Sequence, residues 1–107
     1  MKKLLIFIDD IRFPKTDIYK DFDDIFIYRN YKDSIKALNF LKDKDYEIYM
    51  SLDHDLGEDK TGYDIAKYIV ENNINIYGFN IHSMNVVGRK NIRDLLTHYG
   101  YKEIWLI

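Results

Sequence analysis

The chain contains no cysteine. Disulfides, zinc–thiolate centres and thiol nucleophiles are therefore excluded. It has one proline, Pro14, and no apolar run near the roughly 20 residues that a membrane-spanning helix needs. It also lacks a strong excess of either charge: 16 basic against 18 acidic residues leave a formal net charge of −2. That balance supplies no long basic footprint, so duplex DNA is not an expected partner. A short oligonucleotide or a phosphate end needs only a few local arginines or lysines. The opening stretch, Met1 to Ile8, is too short for an export signal because Asp9 and Asp10 interrupt it. A cytoplasmic location without membrane attachment is the expectation.

Apolar and aromatic side chains are well supplied, at 47% and 16% of the 107 residues. Such a chain can build a core, and its length suits a single domain over residues 1–107. Leu4 to Ile8 is a continuous apolar run, the signature of a strand buried on both faces. Further strands are expected at Ile25 to Arg29, Ile48 to Leu52, Tyr77 to Ile81 and Ile104 to Ile107. Between them lie helical patterns. Ser34 to Lys44 repeats apolar residues at helical spacing, with Asp33 or Ser34 as its cap. A second helix follows Thr61, which has capping-box spacing to Asp64. A third starts near Gly88 and ends at Gly100. The segment from Ile11 to Asp24 carries Pro14 and many charges, and reads as a loop. Alternating strands and helices imply a parallel sheet with right-handed crossovers. The expected fold is α/β, a flavodoxin- or receiver-like three-layer arrangement. Its five-stranded sheet has order 2-1-3-4-5 and lacks the last helix and also the first.

In such sheets ligands bind beyond the carboxyl ends of the strands. The first strand delivers Asp9 and Asp10 there, the third Asp53, His54 and Asp55, the fourth His82 and Ser83. Carboxylates brought together repel, and a hard cation relieves that repulsion. Asp9, Asp10 and Asp53 are thus candidate ligands for a divalent metal, with Mg²⁺ or Mn²⁺ best suited to oxygen donors. His54 and His82 are candidates for acid–base work near neutral pH, beside Asp55 and Ser83. Strand alternation puts Asp53 and Asp55 on one side and His54 on the other, unless the strand ends first. Arg12, Gly88 and Arg89 suit an anion: the arginines as bidentate donors, the glycine at a helix start as a place of close approach.

Three strings carry a resemblance. Ile8-Asp9-Asp10-Ile11-Arg12-Phe13-Pro14 is one. Ser51-Leu52-Asp53-His54-Asp55-Leu56-Gly57 with Thr61-Gly62-Tyr63-Asp64 is the second and most specific. His82-Ser83-Met84-Asn85-Val86-Val87-Gly88-Arg89-Lys90-Asn91 is the third. Together the chain resembles the cyclic-phosphate-processing receiver-like family (cREC), a derivative of two-component receiver domains. The resemblance adds Asn85 and Asn91 to the expected pocket. It implies hydrolysis of cyclic phosphates on nucleotides or RNA ends, and some members are phage-borne. Asp9 and Asp10 match the receiver acid pair, Asp53 the phospho-accepting aspartate and Ser83 the switch position. The receiver lysine after the fifth strand and the fifth helix have no counterpart before Ile107. A phosphorylation-driven output is therefore not expected.

The expected function is a metal-assisted phosphoesterase. His54 and His82 would share acid and base roles, and the arginines and asparagines would hold the substrate. Two other readings use the same residues: a module that binds a nucleotide or cyclic phosphate without turnover, and a degenerate receiver that binds another protein.

Overall fold

The computed structural model describes residues 1–15 and 17–104. Its elements follow in the order β1 (Lys2–Ile8), β2 (Asp24–Tyr28), α1 (Tyr31–Leu41), β3 (Tyr46–Leu52), α2 (Gly62–Glu71), β4 (Gly78–Ile81) and α3 (Val86–His98). The strands form one parallel sheet in the order β2-β1-β3-β4. β1 is central: Ile6 lies between Phe26 of β2 and Met50 of β3. This explains why its run is apolar without alternation, since both faces are covered.

Period-two geometry divides β1 between two clusters. Leu4, Ile6 and Ile8 join Ile48, Met50, Leu52 and Phe79 in the main core, with Leu38, Ile65, Ile69, Ile92 and Leu96 from the three helices. Leu5 and Phe7 face the other way and meet Tyr19, with Phe22, Ile25, Ile27 and Tyr49 around them. All three helices thus pack on one face, and the β1–β2 loop lies on the other. The expected three layers become two among the described residues. The reason is local: Pro14 and the charged run beside it offer no apolar helical stripe, so two aromatic side chains cover the face where a helix would have lain.

Other expectations shift in detail. α1 starts three residues before Ser34, and its cap is Asn30, whose side chain accepts the N–H of Asp33 at 2.8 Å. Asp33 sits in the first turn, where a negative charge suits the helix dipole. α2 has the expected capping box of Thr61 and Asp64. α3 begins at Val86, two residues before Gly88, and is capped by Asn85. Gly100 has φ +88°, the left-handed geometry that ends a helix on glycine. Four strands are described, not five. Glu103 makes one isolated parallel bridge to Phe79, and the rest of the expected strand at 105–107 lies outside the described residues. Among the described residues, no helix is long and apolar enough to cross a membrane.

Candidate functional site

The sheet order β1-β3-β4 brings three strand ends side by side, and backbone hydrogen bonds extend the ladder one residue further. The N–H of Asp53 donates to the carbonyl of Ile8 at 2.9 Å, and that of His82 to the carbonyl of Leu52 at 3.0 Å. Asp9, Asp53 and His82 are thereby set next to one another, and one ligand atom from each lies within 4.8 Å of the others.

Asp9 is fully buried and its carboxylate is saturated. Oδ1 accepts the N–H groups of Ile11 and Arg12 at 3.0 and 2.8 Å. Oδ2 meets His82 Nε2 at 3.0 Å and Arg12 Nε at 2.8 Å. Burial opposes its charge, but these backbone donors, the guanidinium and His82 together hold the carboxyl below its ordinary pKa. Arg12 reaches on to Asp53 Oδ2 at 3.4 Å. One guanidinium therefore bridges two buried carboxylates.

His82 stacks on Phe7, with ring centroids 4.5 Å apart and planes 5° from parallel. Burial pushes its pKa down, against the pull of the Asp9 hydrogen bond and charge. The neutral ring has one N–H, and a carboxylate can only accept, so Nε2 donates to Asp9. Nδ1 then accepts from Ser51 Oγ at 2.8 Å, and Ser51 in turn accepts from the Tyr19 hydroxyl at 3.1 Å. Both nitrogens of His82 are engaged.

His54 differs. β3 ends at Leu52, so alternation does not govern residues 53–55. Asp55 is exposed, with Oδ1 2.8 Å from His54 Nδ1. Asn85 fixes this arrangement from α3. Its Oδ1 accepts the N–H of Gly88 at 2.8 Å while its Nδ2 donates to Asp55 Oδ1 at 3.2 Å. The hydrogen bonds from His54 and Asn85 hold the Asp55 carboxyl below its ordinary pKa. Among the described residues His54 Nε2 has no hydrogen-bond partner. Gly88 is there for this ring: a Cβ on it would sit 2.3 Å from His54 Cγ. Its N–H is bound by the capping Asn85 side chain.

Asp10, Asp53, Asp55, Ser83 and Arg12 line one open cleft of about 420 Å³. Asp10 lies beside Gly57, whose Cβ would come 3.1 Å from Asp10 Oδ2, and is not part of the three-ligand cluster. Ser83 is buried and its Oγ accepts the N–H of Asn85 at 3.1 Å. Arg89 donates from α3 to the Ser83 carbonyl at 3.4 Å. Asn91 is exposed further along α3 and has no hydrogen bond from its side chain among the described residues. Sequence reading missed Ser51, Tyr19 and Arg29. Arg29 donates to the carbonyls of Asp9, at 3.0 Å, and Arg12, pinning the loop that carries both. Ser51 was findable by parity: it pairs with Phe7 on the loop-covered face, where His82 stacks.

Two carboxylates and an imidazole form a donor set that fits a divalent cation. Asp9 has no lone pair to spare while Arg12 is in place, and His82 Nε2 carries the proton it donates to Asp9. A cation therefore needs Arg12, 45% exposed at its side chain, to give way and the His82 proton to leave Nε2. No curated protein matches the chain, and no solved structure does. A family model described as the cyclic-phosphate processing receiver domain matches residues 4–98.

Proposed function

Because the chain belongs to the cyclic-phosphate processing receiver domain family, we propose that it hydrolyses a cyclic phosphodiester on a nucleotide or an RNA end. The observation that carries this reading is the His54–Asp55 pair. A carboxylate on Nδ1 fixes the ring and its tautomer, and leaves Nε2 to take a proton. In the reaction a water oxygen bonds to phosphorus and one ring P–O bond breaks. His54 Nε2 receives the water's proton and later releases it to solvent, while the displaced oxygen takes a proton from solvent as it becomes a hydroxyl. Arg12 is the cationic partner for a non-bridging phosphate oxygen, since it already lies beside the acidic cleft. His82 is a positioning residue in this scheme: it holds Asp9, which holds Arg12.

Asp9, Asp53 and His82 would hold a divalent ion. The imidazole in the set favours Mn²⁺ over Mg²⁺. When bound, such an ion offsets charge on the phosphoryl oxygens. One observation favours a second reading, capture without turnover. Arg12 and His82 already satisfy the buried carboxylates, so the site is electrostatically complete without a cation.

The test is a screen of cyclic nucleotides and 2′,3′-cyclic-phosphate RNA ends with Mg²⁺, with Mn²⁺ and with chelator. Ring opening that the His54→Ala variant loses supports the hydrolase. Binding without turnover under every metal condition replaces it with the binding module. Neither binding nor turnover removes both.

A further inference from the structure

Arg12 lines two clefts. One is the acidic cleft described above. The other, of about 240 Å³, is bordered by Phe7, Phe13, Pro14, Ile18 and Tyr19 with Arg12 between them and the carboxylates. The chemistry assigned to His54 and Arg12 leaves this second cleft unused.

Phe13 is 73% exposed. A large aromatic left in water is ordinary on a loose loop, but this loop is held firmly. The N–H groups of Ile11 and Arg12 are tied to Asp9 Oδ1 at 3.0 and 2.8 Å, and Arg29 clasps the carbonyls of Asp9 and Arg12 from the other side. The Arg29 guanidinium also lies over the Phe13 ring, 4.5 Å from its centroid. One ring face is taken by a cation and the other is available to a flat partner. Phe7 and Tyr19 border the same cleft, but both are buried and Phe7 already stacks on His82, so Phe13 is the ring left to receive a flat partner.

We propose that this cleft is a nucleobase subsite: it stacks the base of a nucleoside cyclic phosphate whose phosphate lies at Arg12. The assignment rests on the cyclic-phosphate reading above and adds the nucleoside to it. A base suits the cleft because it presents a flat π face to the open side of Phe13, a contact every base can make. The Tyr19 hydroxyl is already spent on Ser51, so stacking outweighs recognition of base edges. Discrimination among the four bases is accordingly small, within roughly tenfold.

The test compares dissociation constants for three probes by calorimetry. These are adenosine 2′,3′-cyclic monophosphate, a methyl riboside 2,3-cyclic phosphate without a base, and a short oligoribonucleotide ending in a 2′,3′-cyclic phosphate. The mononucleotide should bind roughly 5- to 100-fold more tightly than the base-free probe, the range that one stacked base supplies. Phe13→Ala should bring that ratio close to one, and Phe13→Trp should keep it. Phe13 is exposed, so neither change removes a core side chain, and a thermal melt checks the fold. Equal affinity for nucleotide and base-free probe overturns the subsite while leaving the cyclic-phosphate reading standing. A ratio that survives Phe13→Ala also overturns it, as does an increment confined to the oligonucleotide. Binding of none of the three probes overturns both readings.

Discussion

His54 and His82 stand at neighbouring strand ends, and each has a carboxylate within 3.0 Å of one ring nitrogen. Their second nitrogens differ. His82 gives Nδ1 to Ser51 and stacks its face on Phe7, and burial lowers its pKa. Among the described residues His54 has only the marginal approach of Asn85 beyond Asp55, on the same nitrogen. A carboxylate on one nitrogen orients an imidazole for work at the other. Partners on both nitrogens turn it into a strut. Residue type and strand-end position do not separate these two histidines; on the proposed reading, the unpartnered nitrogen of His54 does.

The largest effects should separate the two. His54→Ala is expected to lower turnover by about 10²- to 10⁴-fold, with a smaller loss of stability than at His82, because proton transfer is lost and the hydrogen-bond partner left behind, Asp55, is exposed to water. His82→Ala should cost about 2–4 kcal/mol of folding stability: the Phe7 stack goes, and Ser51 and buried Asp9 each lose a partner. Denaturant unfolding and steady-state kinetics on both variants check this. A His82 variant of wild-type stability, or a His54 variant of wild-type turnover, breaks the distinction.

Much of this was legible beforehand, for identifiable reasons. Apolar runs ending in polar residues mark parallel strands, and their carboxyl ends are one edge. Pattern alone could thus bring Asp9, Asp10, Asp53 and His82 to one edge, but could not show that Asp10 would stand outside the cluster and His82 inside it. The helix caps beyond Thr61 were less legible, because Asn30 and Asn85 compete with nearby Asp33, Ser34 and Gly88 for the same part. The roles inside the site were hidden for another reason. Whether a histidine has a free nitrogen depends on Ser51 and Tyr19, which look like ordinary strand and loop residues. Gly88 reads as a ligand contact until the His54 ring is seen against it. The uncovered sheet face was half visible: the weak first helix was expected, but not that two aromatic side chains would replace it.

The buried cluster offers a sharper version of the comparison. Arg12 now neutralises the Asp9 and Asp53 carboxylates that would otherwise hold a cation. Removing it should expose them. Arg12→Ala is expected to bind Mn²⁺ about tenfold more tightly than wild type, a gain of about 1.4 kcal/mol, while melting at a lower temperature in chelator. Calorimetric titration and paired melts measure both. Weaker metal binding by the variant would mean that Arg12 supports the cation site rather than competing with it. The His54 side of the site should not respond, since its partners are Asp55 and Asn85.

The smallest expected effect tests the support of His54 without touching His82. The loop carrying His54 is anchored at α2: the N–H of Gly62 donates to the His54 carbonyl at 2.8 Å, and a Cβ on Gly62 would lie 2.0 Å from the Asp53 carbonyl oxygen. That helix start is closed by Asp64, whose Oδ2 accepts the N–H of Thr61 at 2.8 Å, with Lys67 at 3.4 Å from Oδ1. Burial opposes the charge on Asp64, but the Thr61 N–H and Lys67 outweigh it and hold the carboxyl below its ordinary value. A folded-state pKa below the unfolded one means the contribution is complete above the unfolded value, near pH 4, and fades as pH falls through the folded value. Asp64→Asn should therefore cost about 0.5–1 kcal/mol at pH 7. The gap between variant and wild type should narrow in acid, because both then carry an uncharged group at the cap. Urea unfolding of the pair at pH 7 and pH 3 measures the gap. A gap that stays constant across that interval would show that the cap works by its hydrogen bonds without the charge. If turnover at pH 7 falls in this variant while the Asp9–His82 pair keeps its hydrogen bond by nuclear magnetic resonance, the α2 cap belongs to the His54 half of the site alone.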